Sequence, residues 1–562
     1  MTIQGGCPVA HVITRPCCND ASCVTVCPVN CIHPTPGSPE FARAEMLHID
    51  PAACIDCGAC VDECPVDAIV PDDLLPPGSD FPEMNADYFR GREIVGSWTP
   101  PRPASDSGPL PFRVAVIGAG PAAFYTSGEL LRHRGVTVDM FDRLPTPYGL
   151  VRAGVAPDHA ATKGVERTFA ATASREAFRY FLNVEVGVDV TLDELRARYH
   201  AVIVATGAAA DRALAISGED LPGSLAATDF VAWYNGHPDH ADDEIDLSGE
   251  SVVIVGNGNV ALDAARILVT DPDELARTDI ADHALRALRR STVRHVSILG
   301  RRGPAHAAYT NSEFQAFASL SGVDVLVDQA DLVLDPQTHR DEQAGTLDPT
   351  TSTKLRLARR YAARTPTGAA RTVAFRYLSS PAAILGDDHG VSGMRVTRMA
   401  YSTDGTGRVV PTGPETTVPA STVIRSIGYR ADPFSGLPFD SRAAVIPNDG
   451  GRVIDDGSPV AGMYVAGWIK RGARGGIGAN RQCGLQTAEA IIADWTQGRL
   501  PPPPIGEDDV DALIAEHRGT RIDAAGWAAI DDHERAAGRR DGRRRRKLVS
   551  VDEMVQVAIT AI

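Results

Sequence analysis

Cysteine is almost missing beyond residue 64: of the eleven in the chain, only Cys483 lies further on. That rules out a redox-active cysteine pair in the rest of the chain, and with it disulfide or thioredoxin-type reductase chemistry. Lysine is missing from residues 1–100, which hold 14 Asp and Glu and 4 Arg, a balance of −10. With −17 on the whole chain, this argues against nucleic acid as a partner. An acidic N-terminal module would instead favour docking onto the less acidic remainder. No apolar run approaches the ~20 residues of a membrane span. The N-terminus has no basic-then-apolar signal pattern. A cytoplasmic protein is expected, in which thiols stay reduced and clustered cysteines bind metal.

At 562 residues the chain is too long for one core, and a prior of roughly 100–200 residues per domain implies three or more. Composition is that of a globular protein, 43% hydrophobic and 23% charged. Ten cysteines crowd into the first 64 residues. Cys54-x2-Cys57-x2-Cys60-x3-Cys64-Pro65 is preceded by Cys23-x3-Cys27-Pro28, the pattern of a two-cluster iron–sulfur module. In such modules the last cysteine of each run crosses to the other cluster. Cys27, Cys54, Cys57 and Cys60 therefore form one [4Fe–4S] set. A second regular set would need a cysteine at position 20, which is Asp20. A [3Fe–4S] cluster on Cys17, Cys23 and Cys64 fits best, with Cys18 as alternative ligand and a second [4Fe–4S] as alternative cluster. Cys7 and Cys31 are then spare thiols. Zinc sites favour paired CxxC spacing instead. This stretch resembles the seven-iron bacterial ferredoxins, down to Pro28 and Pro65.

A Pro-rich stretch, Thr99–Pro111, reads as a linker. The apolar run Phe112–Ile117 follows, then Gly118-Ala119-Gly120-Pro121-Ala122, a helical segment to Arg134, and a run Val136–Phe141 closed by Asp142. This β–glycine loop–α–β–acid order is a dinucleotide fold: the loop admits a pyrophosphate to a helix N-terminus and the acid suits a ribose diol. A carboxylate there repels a 2′-phosphate, so FAD or NAD is expected rather than NADP. The pattern recurs as strand Ser251–Val255, loop Gly256-Asn257-Gly258-Asn259-Val260, and a helix to Val269. After the later strand Val296–Leu299 come Arg301 and Arg302, two guanidinium groups suited to a 2′-phosphate and hence to NADP(H). Arg539–Lys547 is a basic run that reads as a solvated tail or helix end.

Leu144–Arg152 (LPTPYGLVR) and Gly154–His159 (GVAPDH) add a closer likeness. With GNGNVALDAAR, GRRGP and the stretch Gly467–Asn480 they resemble the adrenodoxin-reductase-like class of ferredoxin–NADP reductases, over nearly the whole chain once a ferredoxin is fused in front. The resemblance implies that FAD also meets Leu150, Val186, Trp468, Gly475, Gly476 and Ile477. It implies that NADP meets Arg212, Glu313 and Gly475, and it makes His159 the catalytic candidate that orients the nicotinamide. Related reductases pair that histidine with a second glutamate, three residues after the first. Here the position is Ala316, so the network must be absent or built differently. Cys483 replaces a residue often charged in relatives and reads as packing.

The expected fold is an α+β two-cluster ferredoxin domain (1–75), a linker (76–111) and an α/β flavoprotein with two Rossmann units. Within the flavoprotein, the FAD-binding domain is split: its first segment is 112–210, and its second, with a C-terminal extension, is 426–562. The NADP-binding domain, 211–425, lies between them. Nicotinamides give electrons in pairs and clusters take them singly, so a flavin must stand between them. The expected activity is that of a ferredoxin–NADP+ reductase, an NADPH-dependent flavoprotein passing electrons between NADPH, FAD and iron–sulfur clusters, its own and those of a ferredoxin-type or other one-electron acceptor protein. The alternative is an electron-input subunit of a larger synthase or dehydrogenase.

Overall fold

The computed structural model describes residues 10–92, 94, 98, 111–500, 502–505, 510–517 and 520–560. Cys7 and nearly all of the expected linker Thr99–Pro111 lie outside them.

The N-terminal module is a small α+β unit. His11–Ile13 pairs antiparallel with Ile69–Pro71, and Ile32–His33 with His48–Ile49. Strands this short cannot stand alone, and helix Phe81–Phe89, which falls in the stretch 76–111 expected to be linker, ties them together, so the module runs past residue 75. Its Asn85, 1% exposed, accepts from the Ile13 and Ile49 amides and donates to the Ile13 and Phe81 carbonyls. The amide group is thus satisfied entirely by backbone, as a buried polar side chain must be.

Two sheets follow, the first parallel except for the hairpin strands Asn448–Asp449 and Arg452–Asp455 at one edge. The first is seven-stranded: Asn448–Asp449, Arg452–Asp455, Ser458–Val465, Ala201–Val204, Phe112–Ile117, Val136–Asp142 and Phe178–Leu182. The chain leaves this sheet after residue 204 and re-enters it at residue 448. Phe112–Ile117 is buried throughout because helices cover both faces, which is why it reads as apolar but for Arg113, whose guanidinium donates to the Ile505 carbonyl. The second sheet has six parallel strands: Ser224–Ala226, Thr422–Arg425, Ser251–Val255, His295–Leu299, Arg371–Arg376 and Val323–Val327. An antiparallel group built on Ser379–Asp387 and Gly390–Tyr401 packs beside it. Among the described residues no helix is long and apolar enough to cross a membrane.

The basic run near the C-terminus is not a solvated tail. Arg539 and Arg540 do end helix Ala524–Arg540 in the open, but Arg543, Arg545 and Lys547 are buried. Beyond the helix the chain turns back at Asp541–Gly542 and these three side chains meet acids: Arg543 pairs with Asp282 at 2.5 Å, Arg545 with Glu534 and Asp531 at 2.7 Å, and Lys547 with Asp279 at 3.2 Å. The chain has only four lysines, Lys163, Lys354, Lys470 and Lys547, and all four are buried.

The acidic module docks on basic partners. Asp80 accepts from Arg356 and Arg360 of helix Pro349–Ala362, Glu45 lies 3.6 Å from Lys354, and the Pro65 carbonyl accepts from Arg167.

Candidate functional site

Two cysteine pockets lie in the N-terminal module. Cys27, Cys54, Cys57 and Cys60 line the first together with His11, Ile49 and Cys31. Cys17, Cys18, Cys23 and Cys64 line the second, with Asp20. This is the crossing arrangement expected from the spacing: Cys27 leaves its own run for the later one, and Cys64 does the reverse. Cys31 is a neighbour of the first site, its Sγ 3.4 Å from that of Cys27. Burial pushes the Cys17 thiol up to about 11 and Cys18 and Cys23 well above the ordinary thiol range. Thiolates gathered this closely need positive charge among them, which cluster iron supplies. The donor set therefore fits iron–sulfur clusters.

Both glycine loops are cut for a close-approaching ligand. Gly118 has φ +101°, and a Cβ there would stand 2.6 Å from the Ala205 carbonyl oxygen. Gly256 has φ +109°, and its Cβ would meet the Ser426 oxygen at 2.0 Å. Only glycine fits either place. Gly120 and Gly258 instead open on space, each just before a helix, Pro121–Leu130 and Asn259–Val269. Helix N-termini with free N–H groups and room for a pyrophosphate fit a dinucleotide. Asp142, at the end of its strand, accepts from the Ala119 amide at 2.7 Å and the Leu144 amide at 2.9 Å, bracing the first loop. Burial pushes its carboxyl up. Trp468 donates to the Gly475 carbonyl at 3.3 Å, fixing the glycine turn to the short helix Trp468–Arg471. Leu150 opens the short helix Leu150–Ala153, and Val186 packs against the core behind the first sheet. Cys483 is buried, and its Sγ accepts from the Gly467 amide at 3.2 Å.

On the second loop, Asn257 Oδ1 accepts from the Ala308 amide and Asn259 Oδ1 from the Thr310 amide. Arg301 and Arg302 are exposed at the end of strand His295–Leu299, and Arg212 is exposed beside Gly428. Glu313 is different: it is 6% exposed, in the first turn of a helix capped by Thr310.

Glu313 and His159 belong to a charged hub that spacing did not reveal. Arg266 pairs with Asp158, with Asp263 at 2.7 Å and with Glu313 at 3.2 Å, and its Nη2 lies 2.6 Å from His159 Nε2. Arg15, from the cysteine module, joins both Glu313 and His159. Burial and the two arginines hold His159 below its ordinary pKa, against the pull of Asp263 and Glu313. Asp158 sits in GVAPDH and Arg266 in GNGNVALDAAR, so the sequence held a hint of them. Arg15 carried none. His159, Asp263 and Glu313 bring ligand atoms within 4.8 Å of one another, but the guanidinium groups already on them leave no place for a metal cation.

The second cysteine pocket meets the glycine turn at one junction. The Gly478 amide donates to the Cys18 carbonyl at 2.8 Å, and Ser22 Oγ accepts from Arg481. Ile477 packs against the same apolar cluster as Cys17, Cys18 and Cys64.

The 4Fe-4S binding domain family matches residues 47–70, and the pyridine nucleotide-disulphide oxidoreductase family matches residues 112–321. The chain is 48% identical to a Mycobacterium tuberculosis protein named ferredoxin/ferredoxin–NADP reductase, over 98% of this chain and 95% of the relative. It is 45% identical to NADPH-ferredoxin reductase FprA of the same organism, over 80% of this chain and 99% of the relative. The solved structure of that FprA in complex with NADPH superposes with a TM-score of 0.74 at 44% identity, covering 80% of this chain and all of the other.

Proposed function

The chain belongs to the ferredoxin–NADP reductase family, in the form with a ferredoxin fused at the N-terminus, and we propose that it oxidises NADPH at FAD and passes the electrons into two clusters of its own module. The pocket of Cys17, Cys18, Cys23 and Cys64 is the first stop and the Cys27, Cys54, Cys57, Cys60 pocket the second. The Gly478–Cys18 hydrogen bond is the observation that carries this order, because it ties the first pocket to the glycine turn.

Bound FAD supplies the exchange between paired and single electrons, and the clusters hold electrons one at a time. The chain's own residues do the holding. Gly118–Ala122 receive the FAD pyrophosphate at the helix N-terminus, and Asp142 braces that loop. Gly475–Ile477 and Trp468 close on the flavin, with Leu150 and Val186 beside it. Gly256–Val260 receive the NADP pyrophosphate. Arg301 and Arg302 take the 2′-phosphate, and Arg212 is a further NADP contact. His159 and Glu313 orient the nicotinamide from within the charged hub. Cys17, Cys23 and Cys64 hold a [3Fe–4S] cluster, and the other pocket a [4Fe–4S] cluster. Cys57 is exposed, with Ile55 59% exposed beside it, so a ferredoxin-type acceptor meets the chain there.

Metal, sulfide and FAD quantitation with low-temperature EPR on anaerobically purified protein tests this. We expect one FAD, a [3Fe–4S] signal as isolated, and a second cluster signal on strong reduction. Protein without flavin or without iron would overturn it.

A further inference from the structure

Arg15 is held from both sides before it reaches the hub. Thr14 donates twice to the Ala68 carbonyl, the Pro16 carbonyl accepts from Thr162, and the Cys18 carbonyl from Gly478. The strap so fixed carries the guanidinium out of the cysteine module and onto Glu313, 298 residues away in the chain. The pairing is two-pronged: Nε to Oε1 at 3.0 Å and Nη2 to Oε2 at 2.7 Å. Nη2 also lies 2.5 Å from His159 Nε2, which Arg266 Nη2 meets at 2.6 Å.

A guanidinium can only donate. Two of them on one ring nitrogen require Nε2 to be a bare acceptor, with the ring proton on Nδ1. Ala316, a turn beyond Glu313, offers the ring no carboxylate that would reverse this. The charged groups facing the ring are Arg15, Arg266, Asp158, Asp263 and Glu313.

We propose that Arg15 is a positioning residue lent to the nucleotide site by the cluster module: it holds Glu313 in place and keeps His159 a neutral acceptor, so NADP(H) meets a finished site only while the module is docked. This rests on the reading of Glu313 as an NADP contact. Removing Arg15 leaves Glu313 and Asp263 facing the ring with one cation fewer, so His159 protonates at higher pH.

The test titrates NADP+ into oxidised full-length holoenzyme and follows flavin absorption across pH 5–9, for wild type, R15Q, R15K and E313Q of equal iron content. Affinities are read as the ratio of variant to wild type, which cancels the ionisation of the 2′-phosphate near pH ~6. R15Q is expected to bind roughly tenfold more weakly at neutral pH. Its ratio should also acquire a pH dependence centred near the ordinary histidine value of about 6.5. R15K keeps the charge and loses the fork, so it should restore the flat ratio but only part of the affinity. Wild-type affinity and a flat ratio in both Arg15 variants, with E313Q weakened, would overturn the proposal and leave the Glu313 contact standing. Wild-type affinity in E313Q would overturn the Glu313 reading itself.

Discussion

The Gly478 amide and the Cys18 carbonyl lie 2.8 Å apart, and a Cβ on Gly478 would stand 1.8 Å from the neighbouring Asn19 oxygen. Gly478 has an ordinary helical φ of −65°, so its backbone does not demand glycine. The closeness of the cysteine module does. The helix Ala479–Thr496 begins here, directly after the turn Gly475–Ile477, so the contact fixes that turn against the module.

Gly478→Ala should therefore push the module off. Overpacking of this kind costs about 1–3 kcal/mol, and at roughly 1.4 kcal/mol per decade the docking equilibrium constant falls about tenfold. Stopped-flow with NADPH should show cluster reduction slowed relative to flavin reduction in the same protein. An unchanged ratio would contradict the proposed first stop.

Arg301→Ala combined with Arg302→Ala should raise the KM for NADPH at least tenfold or so, as loss of charge-assisted bonds to a phosphate implies. The KM for NADH should move little, since it has no 2′-phosphate. Equal effects on both nucleotides would remove these arginines from the phosphate site.

Cys17 and Cys18 line the same pocket but present differently. Cys18 is buried in the flavoprotein core cluster and joined to Gly478 through its backbone, whereas Cys17 packs against both that cluster and the module's own. With Cys17 as ligand, Cys17→Ser should abolish the [3Fe–4S] EPR signal and Cys18→Ser should keep it. The reverse outcome would exchange their roles.

Glu534 is fully buried between Arg152 and Arg545, each within 2.7 Å. Glu534→Ala takes the carboxylate from Arg152 and leaves Arg545 to Asp531 and Glu166, and breaking a buried pair costs about 3–5 kcal/mol. The midpoint of chemical denaturation should drop accordingly, with Glu534→Gln intermediate.

The same residue sets an acid limit. Burial works against its charge, yet Arg152 and Arg545 hold its carboxyl below the usual range, and Lys163 and Lys547 do the same for buried Asp279. A folded-state pKa below the unfolded value of about 4 gives stability that is complete above that value and drains away as pH falls. The share of stability carried by Glu534 and Asp279 should be complete above pH ~5 and drain away below pH ~4. Glu534→Gln should flatten that fall. A midpoint insensitive to acid would refute the pairing.

Local spacing made much of this legible. The loop Gly118–Ala122, the loop Gly256–Val260 and the run Cys54–Cys64 each gather their candidate contacts within a few residues, so steric need leaves a mark on the sequence itself. Strands such as Ala201–Val204 were equally plain, because burial on both faces forces an unbroken apolar run. The Cys17 or Cys18 choice was not legible, since the spacing before Cys23 is irregular.

What the sequence determined alone was chemistry of short range: which residues can hold iron, phosphate and ribose, and in what order they come along the chain. Tertiary structure decided which charges meet. Arg543, Arg545 and Lys547 read as solvated and are buried, because only the packed chain sets Asp282, Glu534 and Asp279 opposite them. Arg15 reaches Glu313 only through the docking of two modules. Coulombic partners impose no spacing rule on the chain, so nothing short of the folded arrangement could announce them.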